Sequence, residues 1–441
     1  MKFRFSLPFL KKKSKSIEIK SEKKERDELN SHNLALYAHS LINSLSSSGG
    51  RRSFSKESRK CASNILSIFE ENGVEGKLEE FSAFSSFGTL WMKVFPSALP
   101  LSILLSAIGL PYISFLILVL CVLFSFSDIK RSSPLVKKLY KSAKGANVCA
   151  QIEALEEREK RIIITAHHDS ALIMKSGMKR DFIVLLSSFA LVLLLSFFQM
   201  ISEIFSSSLF VPNIPPLVFL ILYIILLALS FYTARCLFPY TEKVSPGSGD
   251  NLSGVAVILA LSRYFSKNKT EHVALTFASF DGEEEAQQGS KAFFSSFSDR
   301  NSYVINIDGI FKKENLAVLT SDGYGFYSLD EALARKIAMT ASAMGYRMKS
   351  GKSSILTGST DALSAAENAF KAVTLTTMAE GKSVAHSEKD TPDAVEKEAL
   401  EEVIAILIKF IESLDRKKEK AFREERSLFD ENKRYRLSPV D

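Results

Sequence analysis

Three uncharged apolar runs constrain this chain more than any other feature: Val94–Ser127 extends over 34 residues, Phe182–Ile201 over 20 and Leu217–Ala234 over 18. The last two match the roughly 20 apolar residues needed to cross a ~30 Å hydrocarbon layer. Buried core helices are the weaker alternative, because these runs are apolar on every face. They read as membrane segments, with the lipid bilayer as partner. As one straight helix the first would extend about 51 Å, too long for a single upright span. Pro96, Pro100, Gly109 and Pro111 divide it, which predicts a tight or re-entrant hairpin turning near Gly109–Pro111 and four membrane segments in all. A single tilted span is the rival arrangement.

The formal net charge of +7 does not point to nucleic acid. Basic residues crowd an N-terminal arm (Lys11, Lys12, Lys13, Lys15) and the flanks of the apolar runs, where positive charge sets orientation and meets anionic lipid. No helix-turn-helix, finger or aromatic-basic motif accompanies them, so no nucleic-acid partner is expected. Lys130, Arg131, Lys137, Lys138, Lys175, Lys179, Arg180 and Arg235 flank the water-soluble part, while Ser202–Pro216 has no Lys or Arg. This asymmetry predicts a multi-pass cell-membrane protein whose folded domain faces the cytoplasm. Phe3–Leu10 is too short for a secretory signal. Cys61, Cys121, Cys149 and Cys236 show no paired spacing and read as free thiols in a reducing compartment.

Outside the apolar runs, brief β-branched stretches predict strands at Asn147–Ile152, Arg161–Ala166, Val273–Phe280 and Tyr303–Ile307. Helical patterns at Ser253–Phe265, Leu329–Met344 and Ala394–Leu414 alternate with them, the last opened by Thr391-Pro392. Ser55–Asn72 is amphipathic, with Ala62, Ile65, Leu66 and Phe69 on one face. The alternation predicts an α/β fold, a mostly parallel sheet flanked by helices, with transmembrane helical hairpins inserted. The expected segments are a basic disordered arm over 1–29, domain parts over 30–93, 128–180 and 236–415, membrane segments over 94–127 and 181–235, and a charged tail over 416–441. If the parts on either side of an insertion belong to one domain, as the resemblance described below implies, they cannot lie on opposite sides of a bilayer, so each insertion must cross an even number of times or dip in.

Acidic and His residues gather where these strands end. His167 and Asp169 follow the strand ending at Ala166, Glu283 and Glu284 follow the one ending near Phe280, and Asp308 follows Ile307; Asp250 precedes the helix Ser253–Phe265. Carboxyl ends of strands are where open α/β sheets bind ligands. So many carboxylates share one pocket only when cations neutralise them. Taken singly, Asp250 reads as a helix cap and Asp308 as a turn residue. His32, His39, His168 and His272 are assigned no role.

Taken in order, the motifs are His-x-Asp (His167, Asp169), Gly-x-Gly-Asp-Asn-x-Ser-Gly (Gly247 to Gly254), Glu-Glu followed by Gly289-Ser290, Asn-x-Asp (Asn306, Asp308) and His-x-x-x-Asp (His386, Asp390). They resemble the family-28 zinc metallopeptidases, of the bacterial leucyl aminopeptidase and glutamate carboxypeptidase type, in a membrane-embedded variant. Glutaminyl cyclases belong to the same family. The resemblance covers roughly 30–85 and 140–415 and implies a zinc-exopeptidase, phosphorylase/hydrolase-like fold. It also implies two Zn²⁺ per chain, although other divalent transition metals suit the same donors. Asp250 would bridge the ions, His167 and Asp308 would complete one site, and Glu284 with His386 the other. Glu283 would be the general base and Asp169 would orient His167.

Glu283-Glu284-Glu285 offers two registers. Counting back from Gly289-Ser290 selects Glu283 and Glu284, with Glu285 as a solvated neighbour. Asp361 is a supporting residue. The implied activity is hydrolysis of small peptides by a membrane-anchored exopeptidase, foremost an aminopeptidase, through a metal-activated water. The alternatives are a zinc-dependent glutaminyl cyclase, whose relatives use one zinc, and an inactive membrane scaffold of the same fold. One departure concerns the oxyanion donor: Thr357 stands where some relatives carry Tyr, leaving Tyr324 and Tyr327 as the substitutes at hand.

Overall fold

The computed structural model describes residues 29–85, 90–130, 138–205, 216–323, 325–352, 358–378 and 384–415. The basic arm, the charged tail, most of the 202–216 loop, Tyr324 and Thr357 lie outside the described residues.

Two amphipathic helices come first: α1 (Ser31–Ser46), capped by the Asn30 side chain, and α2 (Lys56–Glu71), capped by Ser55. Ala62, Ile65 and Phe69 are buried along the face expected of α2. Then follow β1 (Gly76–Ser85), α3 (Trp91–Ala107), α4 (Pro111–Lys130), β2 (Lys141–Ile152), β3 (Lys160–His167), β4 (Leu172–Met174), α5 (Met178–Phe205), α6 (Pro216–Thr233) and β5 (Tyr240–Val244). The chain continues through α7 (Ser253–Lys267), β6 (Val273–Phe280), α8 (Gln288–Ser296), β7 (Tyr303–Ile307), β8 (Leu316–Leu319) and the two-residue strands β9 (Ser321–Asp322) and β10 (Tyr327–Ser328). Last come α9 (Glu331–Ala343), β11 (Lys349–Gly351), α10 (Asp361–Glu367), β12 (Lys371–Thr377) and α11 over 397–415.

Eight strands form one sheet in the order β1-β2-β6-β3-β7-β12-β8-β11. Its centre, β6-β3-β7-β12, is parallel, while β1, β2 and β8 join their inner neighbours antiparallel. Every position of β6 is buried, as a strand covered on both faces requires. Ile162 and Ile164 point into a core shared with α1, α2, α7, α9 and α11; Ile163 points to the opposite core, against α8 and α10.

The opening of the last helix differs from expectation. Thr391-Pro392 begins a single 3₁₀ turn, Pro392–Ala394, and α11 starts only at residue 397. Val395 is extended, and the Glu396 amide donates to the Phe311 carbonyl, so the chain leaves helical geometry to make a tertiary bond.

The first apolar run folds as α3 and α4, with Gly109 at φ 82° in the turn between them, a conformation that costs glycine no Cβ clash. Helices α3 to α6 pack around Leu99, Ile103, Leu118, Leu185, Phe189 and Leu226. Leu116, Leu120, Leu123, Leu194, Leu220 and Ile224 point outward, each more than half exposed. Polar groups turn inward. Ser106 Oγ donates to Gln199 Oε1 at 2.5 Å and lies 3.0 Å from the Tyr223 hydroxyl, and Ser114 and Ser196 hydroxyls are 2.8 Å apart. That is the reverse of a water-soluble bundle. Met178–Ile204 and Leu217–Leu237 are long and apolar enough to cross a membrane.

Candidate metal centre

Three adjacent strands deliver the site. His167 is the last residue of β3, Asp308 follows the last residue of β7, and Glu283 and Glu284 lie just past β6. Asp250 comes from the turn that feeds α7. Asn251 fastens that turn: its Nδ2 donates to the Ile307 carbonyl at 2.8 Å, and its Oδ1 accepts from the amides of Gly254 at 3.1 Å and Gly309 at 3.2 Å. A Cβ on Gly254 would come within 2.6 Å of the Ile307 carbonyl and 2.9 Å of the Ala166 Cβ. Only glycine lets the first turn of α7 dock this closely against the ends of β3 and β7.

The side chains named from the motifs converge. His167 Nε2 is 3.2 Å from Asp250 Oδ1 and 3.6 Å from Asp308 Oδ1; His386 Nε2 is 3.0 Å from Asp250 Oδ2 and 3.3 Å from Glu284 Oε1. Asp250 therefore turns one oxygen to each imidazole. Three overlapping groups have donor atoms close enough for one ion: His167 with Asp250 and Asp308, Asp250 with Glu284 and His386, and His167 with Glu283 and Glu284. His167 is fully buried, whereas 53% of the His386 side chain is accessible, so the site opens on the His386 side.

A second layer holds these groups in place. Asp169 lies with Oδ1 3.4 Å and its carbonyl oxygen 3.2 Å from His167 Nδ1. Its carboxylate also accepts from Ser53 Oγ at 2.6 Å and from the amides of Glu283 and Glu284, both at 3.2 Å. One carboxylate thus sets the imidazole and the glutamate pair together. Asp390 accepts from the amides of Gly249 at 2.6 Å and Asp250 at 3.2 Å. Arg51, fully buried, donates to the carbonyls of His168, Pro246 and Gly247 at 2.7–2.9 Å, tying the His167 strand to the Asp250 turn.

Two of these residues, Arg51 and Ser53, carried no signal in the sequence. Their stretch reads as an ordinary basic and polar loop until burial is known. Asp390 stood in a motif without a role.

Two expectations need correction or closure. Glu285 is not a solvated neighbour: it is buried, with Oε1 3.4 Å from Arg52 Nε. The turn after Gly282 swings it back against the α1–α2 loop. His168 is buried away from the cluster, its Nδ1 2.9 Å from Ser279 Oγ, and burial pushes its pKa down to about 3. Tyr327 pairs with Asp322 in the β9–β10 ladder.

Electrostatics call for positive charge. Burial, then the charges of Glu284, Asp361 and Asp308, raises Glu283 well above the usual carboxylate range against the pull of His167. Burial likewise pushes Asp361 up to about 7. Burial works against a charged His167, yet its bonds to Asp169, Asp250 and Asp308 hold its pKa well above the ordinary value. A field that would keep a proton on a buried imidazole equally favours a divalent cation among the same atoms. Among the described residues, His167 Nε2 and Glu284 Oε1 are buried polar atoms satisfied by no well-aligned hydrogen bond. Imidazole and carboxylate donors with such unsatisfied atoms fit zinc.

The fold is a mixed α/β domain, a large and mostly parallel sheet flanked by helices, like that of zinc exopeptidases. Known structures share it. An aminopeptidase from Aneurinibacillus sp. strain AM-1 is similar at TM-score 0.52 and 15% identity, over 87% of this chain and 95% of that one. Glutaminyl cyclase from Porphyromonas gingivalis is similar at TM-score 0.51 and 13% identity, over 86% and 98%. A Zn-dependent exopeptidase from Parabacteroides distasonis is similar at TM-score 0.51 and 12% identity, over 86% and 97%. Residues 237–411 match the model of Peptidase family M28. No curated protein sequence matches this chain significantly.

Proposed function

We propose that this chain is a membrane-anchored exopeptidase, an aminopeptidase that binds two zinc ions. The observation that carries this reading is Asp250, with Oδ1 3.2 Å from one imidazole and Oδ2 3.0 Å from the other. Asp250 is shared; His167 and Asp308 complete one ligand set, and Glu284 with His386 the other. Bound zinc would supply the acidity that ionises a water near neutral pH and would polarise the scissile carbonyl. Glu283 accepts the proton of the attacking water and returns it to the leaving amine. Gln287 Nε2, donating to Glu283 Oε1 at 3.2 Å, fixes the orientation of that carboxylate. Asp169 holds the His167 ring and the backbone of the glutamate pair in register.

Metal analysis of the detergent-purified protein, followed by peptide assays, tests the reading. About two zinc per chain is expected, with hydrolysis of peptides bearing a free amino terminus and none of their N-acetylated forms. One zinc with no amide hydrolysis would instead favour glutaminyl cyclisation, and no bound metal would favour the scaffold.

The membrane part of the reading places α3 to α6 in the bilayer, with the folded domain on the cytoplasmic side. Its support is the outward apolar and inward polar surface of the bundle, together with Lys175, Lys179, Arg180 and Arg235 where the hairpin rejoins the domain. Trp91, the single tryptophan, stands at the start of α3, 5.8 Å from the Phe182 ring. In reconstituted vesicles its emission is expected to be quenched more by lipids brominated near the headgroup than by lipids brominated near the chain ends. No quenching by either lipid would remove α3 from the membrane.

A further inference from the structure

The candidate metal centre and both apolar insertions lie on the same rim of the sheet. β2 runs antiparallel to β6 with Val148 opposite Ser279, so Asn147 is level with Phe280, the end of β6. β2 nevertheless begins at Lys141, paired with Ser85 at the end of β1. Residues 141–146 and their β1 partners thus overhang the ligand-bearing strand ends by about 20 Å, and the first insertion leaves from the tip of that overhang.

The second insertion leaves still closer. β4 begins at Leu172, three residues after Asp169, and α5 at Met178, so the connection from Asp169 is at most about 30 Å even if fully extended. The returning strand β5 is fastened to the loop that carries His386: Ser245 Oγ donates to the Ser387 carbonyl at 3.1 Å, and Lys243 Nζ pairs with Glu388 at 2.6 Å. The two roots also touch, the Tyr240 hydroxyl lying 3.9 Å from Met92 Sδ. The bundle therefore stands over the rim bearing the candidate ligands, and the opening at His386 lies beside its stalk.

We propose that this centre faces the bilayer across a gap of roughly 20–30 Å, and that its preferred substrate is a peptide held at the membrane surface by an apolar anchor. This rests on the membrane-anchored aminopeptidase reading and names its substrate class. An anchored peptide is confined to the layer into which the site opens. Its effective concentration there is highest when the stretch between anchor and amino terminus matches the gap, and declines for longer stretches. A soluble peptide has no such advantage.

The test uses the full chain, zinc-loaded and reconstituted in phosphatidylcholine vesicles, with Glu283→Gln as the inactive control. Peptides with the same amino-terminal residues are compared: one soluble, the others carrying a C-terminal hexadecyl chain behind spacers of increasing length. The expected kcat/KM of the best anchored peptide exceeds that of the soluble one by at least about tenfold. The optimum should fall near six to nine extended residues of spacer and decline for shorter and longer ones. Equal hydrolysis of soluble and anchored peptides, or an anchored rate indifferent to spacer length, would overturn the proposal and leave the peptidase reading standing. Failure to cleave any of them, in vesicles and in detergent alike, would overturn both.

Discussion

Replacing Glu283 with Gln is expected to lower kcat for peptide hydrolysis by about 10²–10⁴-fold, with zinc content unchanged. The amide keeps the shape of the carboxylate but cannot accept the proton of the attacking water. The loss corresponds to about 3–5 kcal/mol of transition-state stabilisation. KM should move little, because the missing interaction exists only as the proton transfers. The supports remain: the backbone amide of residue 283 still reaches Asp169, and Gln287 still has an oxygen to bond. The outcome is decisive either way. Full activity would hand the base to another group. Loss of zinc would make Glu283 a ligand, an arrangement the cluster of His167, Glu283 and Glu284 makes concrete.

Replacing Asp250 with Asn should have the larger effect on metal. Asn is as good a helix-capping residue as Asp, so a merely structural Asp250 would tolerate the change. If instead its two oxygens serve two ions, the neutral amide removes a charge from both sites at once. Loss of a residue that only supports a ligand typically costs 10–100-fold in metal affinity. Zinc affinity in Asp250→Asn is therefore expected to fall by more than about 100-fold, with activity following. Equilibrium dialysis against a zinc chelator reads the affinity, and circular dichroism checks that the fold persists. Two tightly held ions in the variant would end the bridging assignment.

Much of the candidate site was legible because imidazoles and carboxylates are concentrated at strand ends. The runs Arg161–Ala166, Val273–Phe280 and Tyr303–Ile307 announce buried strands, and each is followed at once by His or carboxylate. Glu285 was misjudged for a physical reason. In three consecutive glutamates, composition does not distinguish a carboxylate facing a cluster from one folded back onto Arg52; only the path of the turn after Gly282 does. Arg51 was silent for the converse reason, since a buried guanidinium satisfied by backbone carbonyls alone looks, as sequence, like any loop arginine.

The residues alone determined the inventory: which segments are long, apolar and uncharged, which strands are buried, and which imidazoles and carboxylates stand at their ends. These follow from local composition and period, which neighbouring residues carry by themselves. Tertiary structure alone decided that Asp250 turns one oxygen to His167 and the other to His386, and that the serines of the helical bundle point inward. It alone placed both insertions on the rim that carries the candidate ligands. Those facts depend on strand order and register, which bring together segments far apart along the chain.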